Sequence, residues 1–371
     1  MEYGGDGSMR ILVDAYTEKN LGDDLFLKIL FDRYPNNIEW FVKSKNQENL
    51  QAFRNYGNVY HFNKGQLSYK DFDAVINIGG SIFMQNGNWW IKQLIKRLMY
   101  ALPMKLHKKP VYIIGCNYGP SNSKLMYILN KLYIQHFVRD ISFRDNESYS
   151  LFENLPNVRF SPDIVYSLEN KLIKREKSKK LGISIMHFED KKVNDTYIHK
   201  MVELTKLFLI DGYEVEFFSF CENQNDEQTF IKIETILGKK LVHNLYRGKD
   251  LNAYLERFSI QDYFITLRFH SLILAQIYNT TYYPIIYSKK TSNVLEDQGF
   301  KGNYTTIEHI NCLTIDHIKR QFKDNSINFG LKQEISINAA EHFKEIDQFL
   351  KLNKSNVWKA APTVENVKNL Q

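Results

Sequence analysis

Arg268, His270 and Ser271 stand within four consecutive positions, where an apolar run ends. Residues 262–271 read as a strand running into a loop, and in an extended segment residues two apart share a face, so Arg268 and His270 emerge together. A helix is expected to start at Ser271, and its first amides would face the same point. A guanidinium, an imidazole and helix-start amides make an anion site with a proton donor attached. The next strand, 282–288, runs into Lys289 and Lys290, which add ammonium groups beside it. A single histidine also serves often as a satisfied core residue; the company of Arg268, Ser271 and the lysines favours chemistry.

Other polar clusters fall where apolar runs end. Asn20, Gly22, Asp23 and Asp24 lie between a strand and a helix. The glycine permits a tight turn, and the carboxylates suit sugar hydroxyls or a base, although capping the helix is an equal reading. Gly79 and Gly80 end the strand at 73–78, as an oxyanion nest or a plain turn. Asn117 and Tyr118, inside the turn from Gly115 to Pro120, can hydrogen-bond a sugar. Cys116, with no histidine nearby in sequence, takes a packing role. Arg144 suits bidentate recognition of a carboxylate or phosphate, and its neighbour Asp145 suits an ion pair and cap. The ten histidines show no zinc-ligand spacing, and neither a nucleophile elbow, a P-loop nor a full dinucleotide fingerprint occurs, so no metal or nucleotide cofactor is expected.

The elements that must position these groups alternate. Strands at 10–16, 38–44, 58–62, 73–78, 110–120, 140–145 and 158–165 are interleaved with helical segments. The basic run 171–180 has no apolar period and reads as a linker. Alternation resumes with strands at 181–188, 213–220, 241–246, 262–271 and 282–288, helices at about 292–298 and 314–322, and a last helix at 334–352. The expected fold is therefore α/β, with two Rossmann-like domains facing across a cleft: 9–170 and 181–330, with 331–371 as a C-terminal helix and tail. Residues 1–8 look like a tag-derived leader.

The 371 residues carry 49 basic and 42 acidic side chains, a formal charge of +7 that favours anionic partners without a nucleic-acid-binding arm. Three widely spaced cysteines exclude a disulfide framework and fit a reducing, cytoplasmic setting. No stretch is long and apolar enough to span a membrane. Residues 89–102, with Lys92, Lys96 and Arg97, form an amphipathic helix that either packs on the sheet or lies on an anionic membrane.

In this order the motifs resemble the polysaccharide pyruvyl transferase family over residues 10–300. The resemblance rests on Asn20-x-Gly22-Asp23, Gly79-Gly80, Gly115 to Pro120, Arg144-Asp145-x-x-Ser148, a loose match at Pro162-Asp163, and above all Arg268-x-His270-Ser271-Leu272 followed by Tyr287-x-x-Lys290. One departure is Met186-His187, where many members carry an arginine; His187 is the expected substitute. The resemblance implies a GT-B-like fold, with the first half holding a sugar acceptor and the second phosphoenolpyruvate. It implies transfer of the enolpyruvyl unit onto a sugar of a bacterial surface polysaccharide as a cyclic ketal, often on a polyprenyl-diphosphate lipid at the inner face of the membrane. The expected donor-binding residues are Arg144, Arg268, His270, Ser271, Lys289 and Lys290, with His270 as acid and Asp23 or Asp24 as base. Asn20, Gly79, Gly80, Asn117 and Tyr118 are the expected acceptor contacts, with no cofactor beyond the co-substrate. The competing readings are a nucleotide-sugar glycosyltransferase of the same fold, with Glu296 on the ribose, and a non-catalytic carbohydrate- or phosphate-binding protein.

Overall fold

The computed structural model describes residues 9–34, 38–85, 87–169, 178–324 and 333–350. The leader at 1–8, linker residues 171–177 and tail residues 351–371 lie outside them. The chain divides into two compact units, Met1–Thr17 with Asp23–Glu169 and Gln333–Gln371, and Glu18–Gly22 with Asn170–Lys332.

In the first unit, β1 (Met9–Ala15) leads to α1 (Leu21–Arg33), then β2 (Ile38–Lys43), β3 (Val59–His61) and β4 (Ala74–Ile78). There follow α2 (Trp89–Leu106), β5 (Val111–Cys116), α3 (Lys124–Phe137), β6 (Asp140–Phe143), α4 (Asn146–Phe152) and β7 (Val158–Phe160). The strands form one parallel sheet in the order β3-β2-β1-β4-β5-β6-β7. Parallel sheets are covered on both faces, which is why β4 and β5 are buried along their whole lengths and read as unbroken apolar runs. Ser123 caps α3 and Asp145 caps α4, each accepting from the backbone N–H three residues on.

The second unit repeats the plan. β8 (Lys180–Ile185), α5 (Lys191–Ile210), β9 (Glu214–Ser219), α6 (Asp226–Leu237), β10 (Val242–Leu245) and α7 (Leu251–Ser259) come first. β11 (Tyr263–Thr266), α8 (Phe269–Ile277), β12 (Thr281–Ile286), α9 (Lys289–Asp297), β13 (Thr305–Thr306) and α10 (Ile315–Lys323) follow. The parallel order is β10-β9-β8-β11-β12-β13. Each sheet thus has one reversal of strand order, between β1 and β4 and between β8 and β11, and ligands of such sheets bind beyond the strand ends there.

Several features differ from the sequence expectation: the strands expected at 110–120 and 158–165 end at Cys116 and Phe160, and the helix expected at about 292–298 starts at Lys289. The expected strand at 262–271 ends at Thr266, and α8 begins at Phe269 rather than Ser271. The two-residue strand β13 is too short to show a period of its own. Glu18–Gly22 belongs with the second unit. The C-terminal helices α11 (Gln333–Ala340) and α12 (Lys344–Phe349) belong with the first: Ala339, Phe343 and Ile346 are buried there, and Asp347 pairs with Arg33 at 2.6 Å and accepts from Tyr34 at 2.8 Å. Among the described residues no helix is long and apolar enough to cross a membrane.

Candidate functional site

The second unit builds its strand-end site around one wholly buried carboxylate. Asp226, the first residue of α6, accepts backbone N–H bonds from His187 after β8, at 3.3 Å, and from Phe220 after β9, at 3.4 Å. It is also ion-paired with Arg268 after β11. One side chain thereby ties together the ends of three adjacent strands. Burial pushes its carboxyl up against the opposing pull of Arg268. Ser184 near the end of β8 fixes Arg268 from the backbone side: its hydroxyl accepts the N–H of Arg268 at 2.9 Å and that of Leu267 at 3.4 Å. Arg268 Nε–H is buried and makes no hydrogen bond among the described residues. His187 brings its backbone to Asp226 and its Nδ1 to within 3.4 Å of the Thr229 hydroxyl.

Arg268 is the N-cap residue of α8 and His270 the second residue of that helix, so the two are neighbours across a helix start rather than along a strand face. The imidazole of His270 lies where a side chain at Gly22 would have to go. A Cβ on Gly22 would come 1.9 Å from His270 Nδ1 and 2.2 Å from Cε1. The segment carrying Gly22 is held in place by its own backbone: Leu21 N–H donates to Phe220 O at 2.9 Å, Asn20 bridges to Cys221, and Asn20 Oδ1 accepts the Gly22 N–H at 2.9 Å. Asn20, expected to touch the acceptor, therefore uses its side-chain oxygen to shape the turn that makes room for His270. Ser271 is wholly buried and donates its hydroxyl to Arg268 O at 2.6 Å, so it holds the turn and does not present that group to a ligand.

Lys289 and Lys290 are the first two residues of α9, and no acid accompanies them in that turn. Cations at the positive end of a helix dipole are unfavourable alone and become favourable once an anion is bound between them. The Lys290 ammonium lies 5.6 Å from the ring centres of both Phe269 and Tyr287. Burial raises the Tyr287 phenol, but the charges of Lys290 and Arg268 outweigh it and hold the group below its ordinary value. Both cations therefore act on one point. Glu296, on the last turn of α9, is exposed at the end opposite the lysines.

In the first unit Asp23 and Asp24 occupy the first turn of α1. Asp24 is buried and Asp23 half-buried, with Asp23 Oδ1 4.0 Å from the place of a Cβ on Gly79. Gly80 backs onto the Arg144 guanidinium: a Cβ there would meet Nη1 at 2.6 Å. Arg144 itself is buried, pairs with the buried Asp163 at 2.9 Å and donates to Asn117 Oδ1 at 2.7 Å. Its carboxylate partner is buried, as Asp226 is for Arg268, and of the two expected anion contacts Arg144 has the more enclosed guanidinium, its side chain 4% exposed against 11%. Asn117 spends its oxygen on Arg144 and donates its Nδ2–H to Gly119 O at 3.2 Å, so it too organises the turn. Tyr118 turns its ring among Phe83, Tyr127 and Phe152, away from a role as a sugar contact, and burial raises its phenol. Asp145 caps α4, as its position after a strand suggests. Cys116 lies in the core, where burial pushes its thiol up.

The two units therefore assemble different groups. The second unit brings Asn20, Gly22, Arg268, His270, Lys289 and Lys290 to its strand ends. The first brings Asp23 to Gly79, and Arg144 to Gly80 and Asn117. Sequence reasoning missed Asp226 and Ser184, and gave no role to Asp163 and Tyr287, although both lie inside its motifs. Asp226 carried a readable signal, an acid opening a helix just beyond a strand, whereas Ser184 sits inside an apolar strand and carried none. Among the described residues no cluster of three or more His, Cys, Asp or Glu is placed to hold a metal ion.

Two parallel α/β domains with strand-end sites at their order reversals define a GT-B-like, Rossmann-type architecture, and solved structures of that class resemble the chain. The UDP-GlcNAc 2-epimerase of Neisseria meningitidis bound to UDP-GlcNAc is 13% identical, with 93% of this chain and 100% of that one covered and a TM-score of 0.59. Anabaena Alr3699/HepE in complex with UDP and glucose is 13% identical over 92% and 99%, TM-score 0.57, and the S. aureus MnaA–UDP structure 12% identical over 94% and 98%, TM-score 0.56. At these identities the likeness is one of fold. No curated protein sequence matches the chain significantly. The family model for polysaccharide pyruvyl transferase matches residues 20–289, from the Asn20 turn to the first lysine of α9, and the chain belongs to that family.

Proposed function

We infer that the protein transfers the enolpyruvyl unit of phosphoenolpyruvate onto a sugar of a bacterial surface polysaccharide, forming a cyclic ketal and releasing phosphate. The observation that carries this reading is the gathering of Arg268 at the N-cap of α8 and Lys289 and Lys290 at the start of α9, with no acid in either first turn and the Lys290 ammonium 5.6 Å from the ring of Phe269 on α8. Phosphoenolpyruvate bears a carboxylate and a phosphate, and Arg268, Lys289, Lys290 and the first amides of α8 answer that charge. Family membership supports the pyruvyl donor and the saccharide acceptor.

In the proposed reaction the methylene carbon gains a proton and becomes a methyl group. One sugar hydroxyl bonds to the former enol carbon, and a second then takes the place of phosphate on that carbon. The two hydroxyl protons end on the methyl group and on the departing phosphate. His270 supplies the proton, held at the start of α8 by the fit of its ring over Gly22. Asp23, the next residue in the chain, is the group we assign to accept the acceptor's proton, with the buried Asp24 set aside. Arg144 and Asn117 shape the acceptor-side turn through Gly80.

The test is phosphate release from phosphoenolpyruvate with galactosyl, glucosyl and mannosaminyl acceptors, free and on short polyprenyl diphosphates. Release that depends on the acceptor, with the mass of a pyruvate ketal added to the sugar, is expected. His270→Ala should lower kcat by 10²- to 10⁴-fold, roughly the worth of a general acid, in a folded protein. No release, together with stabilisation by UDP and none by phosphoenolpyruvate, would replace this reading with the nucleotide-sugar one.

A further inference from the structure

Helix α2 is apolar on two opposite faces. Its inner face, with Trp90, Leu94, Tyr100, Ala101 and Met104, is buried on the first sheet and completes the packing the fold needs. Its outer face carries Ile91, Ile95, Met99, Leu102 and Leu106, at spacings of four, four, three and four, which align them in one stripe. All five are 40–74% exposed. Helix α3 packs beside α2, joined to it by the buried bond from Arg97 to Asn130 Oδ1, and shows a second stripe of Leu125, Ile128 and Leu132, each 45–58% exposed. An 18-residue helix spans about 27 Å, so the two stripes form a long apolar surface with no covering element among the described residues.

The stretch of chain that carries this surface has charge of one sign. From residue 74 to residue 139 the sequence contains nine Lys and Arg and not one Asp or Glu. That excess exceeds the +7 of the whole chain, so the remainder of the protein is slightly acidic. Lys92, Lys96, Lys105, Lys108, Lys124 and Arg139 are exposed. On α2, Lys92 and Lys96 border the apolar stripe on one side and Lys105 on the other. Beyond the ends of both helices lies an open hollow of about 600 Å³ lined by Lys105, Lys108, Lys109, His136 and Arg139, with Glu345 from α12 among them.

We propose that the outer face of α2 and α3 docks the protein on an anionic lipid surface. An apolar stripe bordered by lysines is the arrangement that sinks into the acyl boundary while its ammonium groups remain at the level of lipid phosphates. A face-to-face pairing of two copies would set lysine against lysine with no carboxylate on α2 or α3 of either copy, which disfavours self-association as the explanation of the patch.

The test is co-sedimentation of the full-length chain with vesicles of phosphatidylcholine alone and of phosphatidylcholine mixed with phosphatidylglycerol. Binding is expected only to the mixed vesicles, and it should fall as salt rises. Lys92→Glu with Lys96→Glu should weaken it at least about tenfold. Ile95→Glu with Met99→Glu should do the same at unchanged thermal stability, because both side chains are exposed. Ile210→Glu, a still more exposed change in the second unit, should leave binding intact. Equal sedimentation with both vesicle types, or binding untouched by the lysine pair and by the apolar pair, would overturn the proposal. So would absence of vesicle binding with a concentration-dependent dimer that Ile95→Glu dissolves, which would make the patch a subunit interface. Phosphate release plays no part in these readouts, so they stand apart from the proposed reaction.

Discussion

Replacing Gly22 by alanine tests the placement of His270 without touching any group that does chemistry. The new Cβ would sit 1.9 Å from Nδ1, 2.2 Å from Cε1 and 2.8 Å from Cγ of the imidazole. An ordinary contact needs about 3.5 Å, so the ring must retreat by about 1.6 Å or rotate away. A misplacement of about 1 Å in a catalytic group costs roughly 10²-fold in rate, and that is the expected fall in kcat. Gly22 is the second residue of α1, where alanine is intrinsically better than glycine by up to about 1 kcal/mol. Thermal stability should therefore hold or rise while activity falls. The assay is steady-state phosphate release with an acceptor that supports turnover, alongside a melting curve. If both residues act through the imidazole, Gly22→Ala with His270→Ala should be no slower than His270→Ala alone. Unchanged kcat in Gly22→Ala, or losses that simply multiply in the double variant, would refute the placement.

Asp226→Ala should destabilise the protein by about 3–5 kcal/mol in urea titration, because it leaves Arg268 unpaired and two backbone N–H groups without an acceptor. Phe343→Ala, a truncation in the C-terminal segment, should cost about 3–5 kcal/mol, since that ring is wholly buried in the first unit. Burial lowers His342 to about 3 and His243 to about 4. Each is held neutral in the folded state, so its contribution is complete above about pH 6.5 and is lost as pH falls, when the unfolded chain takes up the proton. The His342 part should add a slope of at most about 1.4 kcal/mol per pH unit, and His342→Asn should flatten the stability–pH curve between pH 6 and 4 without abolishing it, because His243 remains.

The alternation of apolar runs and helical periods marked nearly every strand and helix because parallel strands are buried on both faces and leave long apolar signals. It failed where an element's period is too short, as in β13, or where a strand runs straight into a helix, as at Thr266 to Phe269. The motif glycines were legible as turns, but not what each makes room for: the ring of His270 above Gly22 and the guanidinium of Arg144 above Gly80 come from distant parts of the chain. Arg144 and Arg268 look alike in sequence, each following a strand and preceding a helix. Each pairs with a buried carboxylate, Asp163 or Asp226, 19 and 42 residues away, and the surroundings distinguish them: Arg144 lies against Gly80 and Asn117, while Arg268, the N-cap of α8, acts on Tyr287. No local pattern reports which distant carboxylate reaches which arginine.

The return of α11 and α12 to the first unit bears on how the protein is made. The ribosome releases the seven strands of the first sheet early, yet that sheet lacks its last layer until residues 333–350 emerge. Until then Arg159 has no carbonyl of Glu341 to bind, His342 has not reached Pro162 O, and Arg33 waits for Asp347. The second unit, formed mainly by the continuous stretch between, leaves the ribosome before the first is finished. A nascent chain cut short anywhere before Phe343 would carry an incompletely covered first sheet, a substrate for chaperones and proteases, so passage of the final helices acts as a check that translation ran its course.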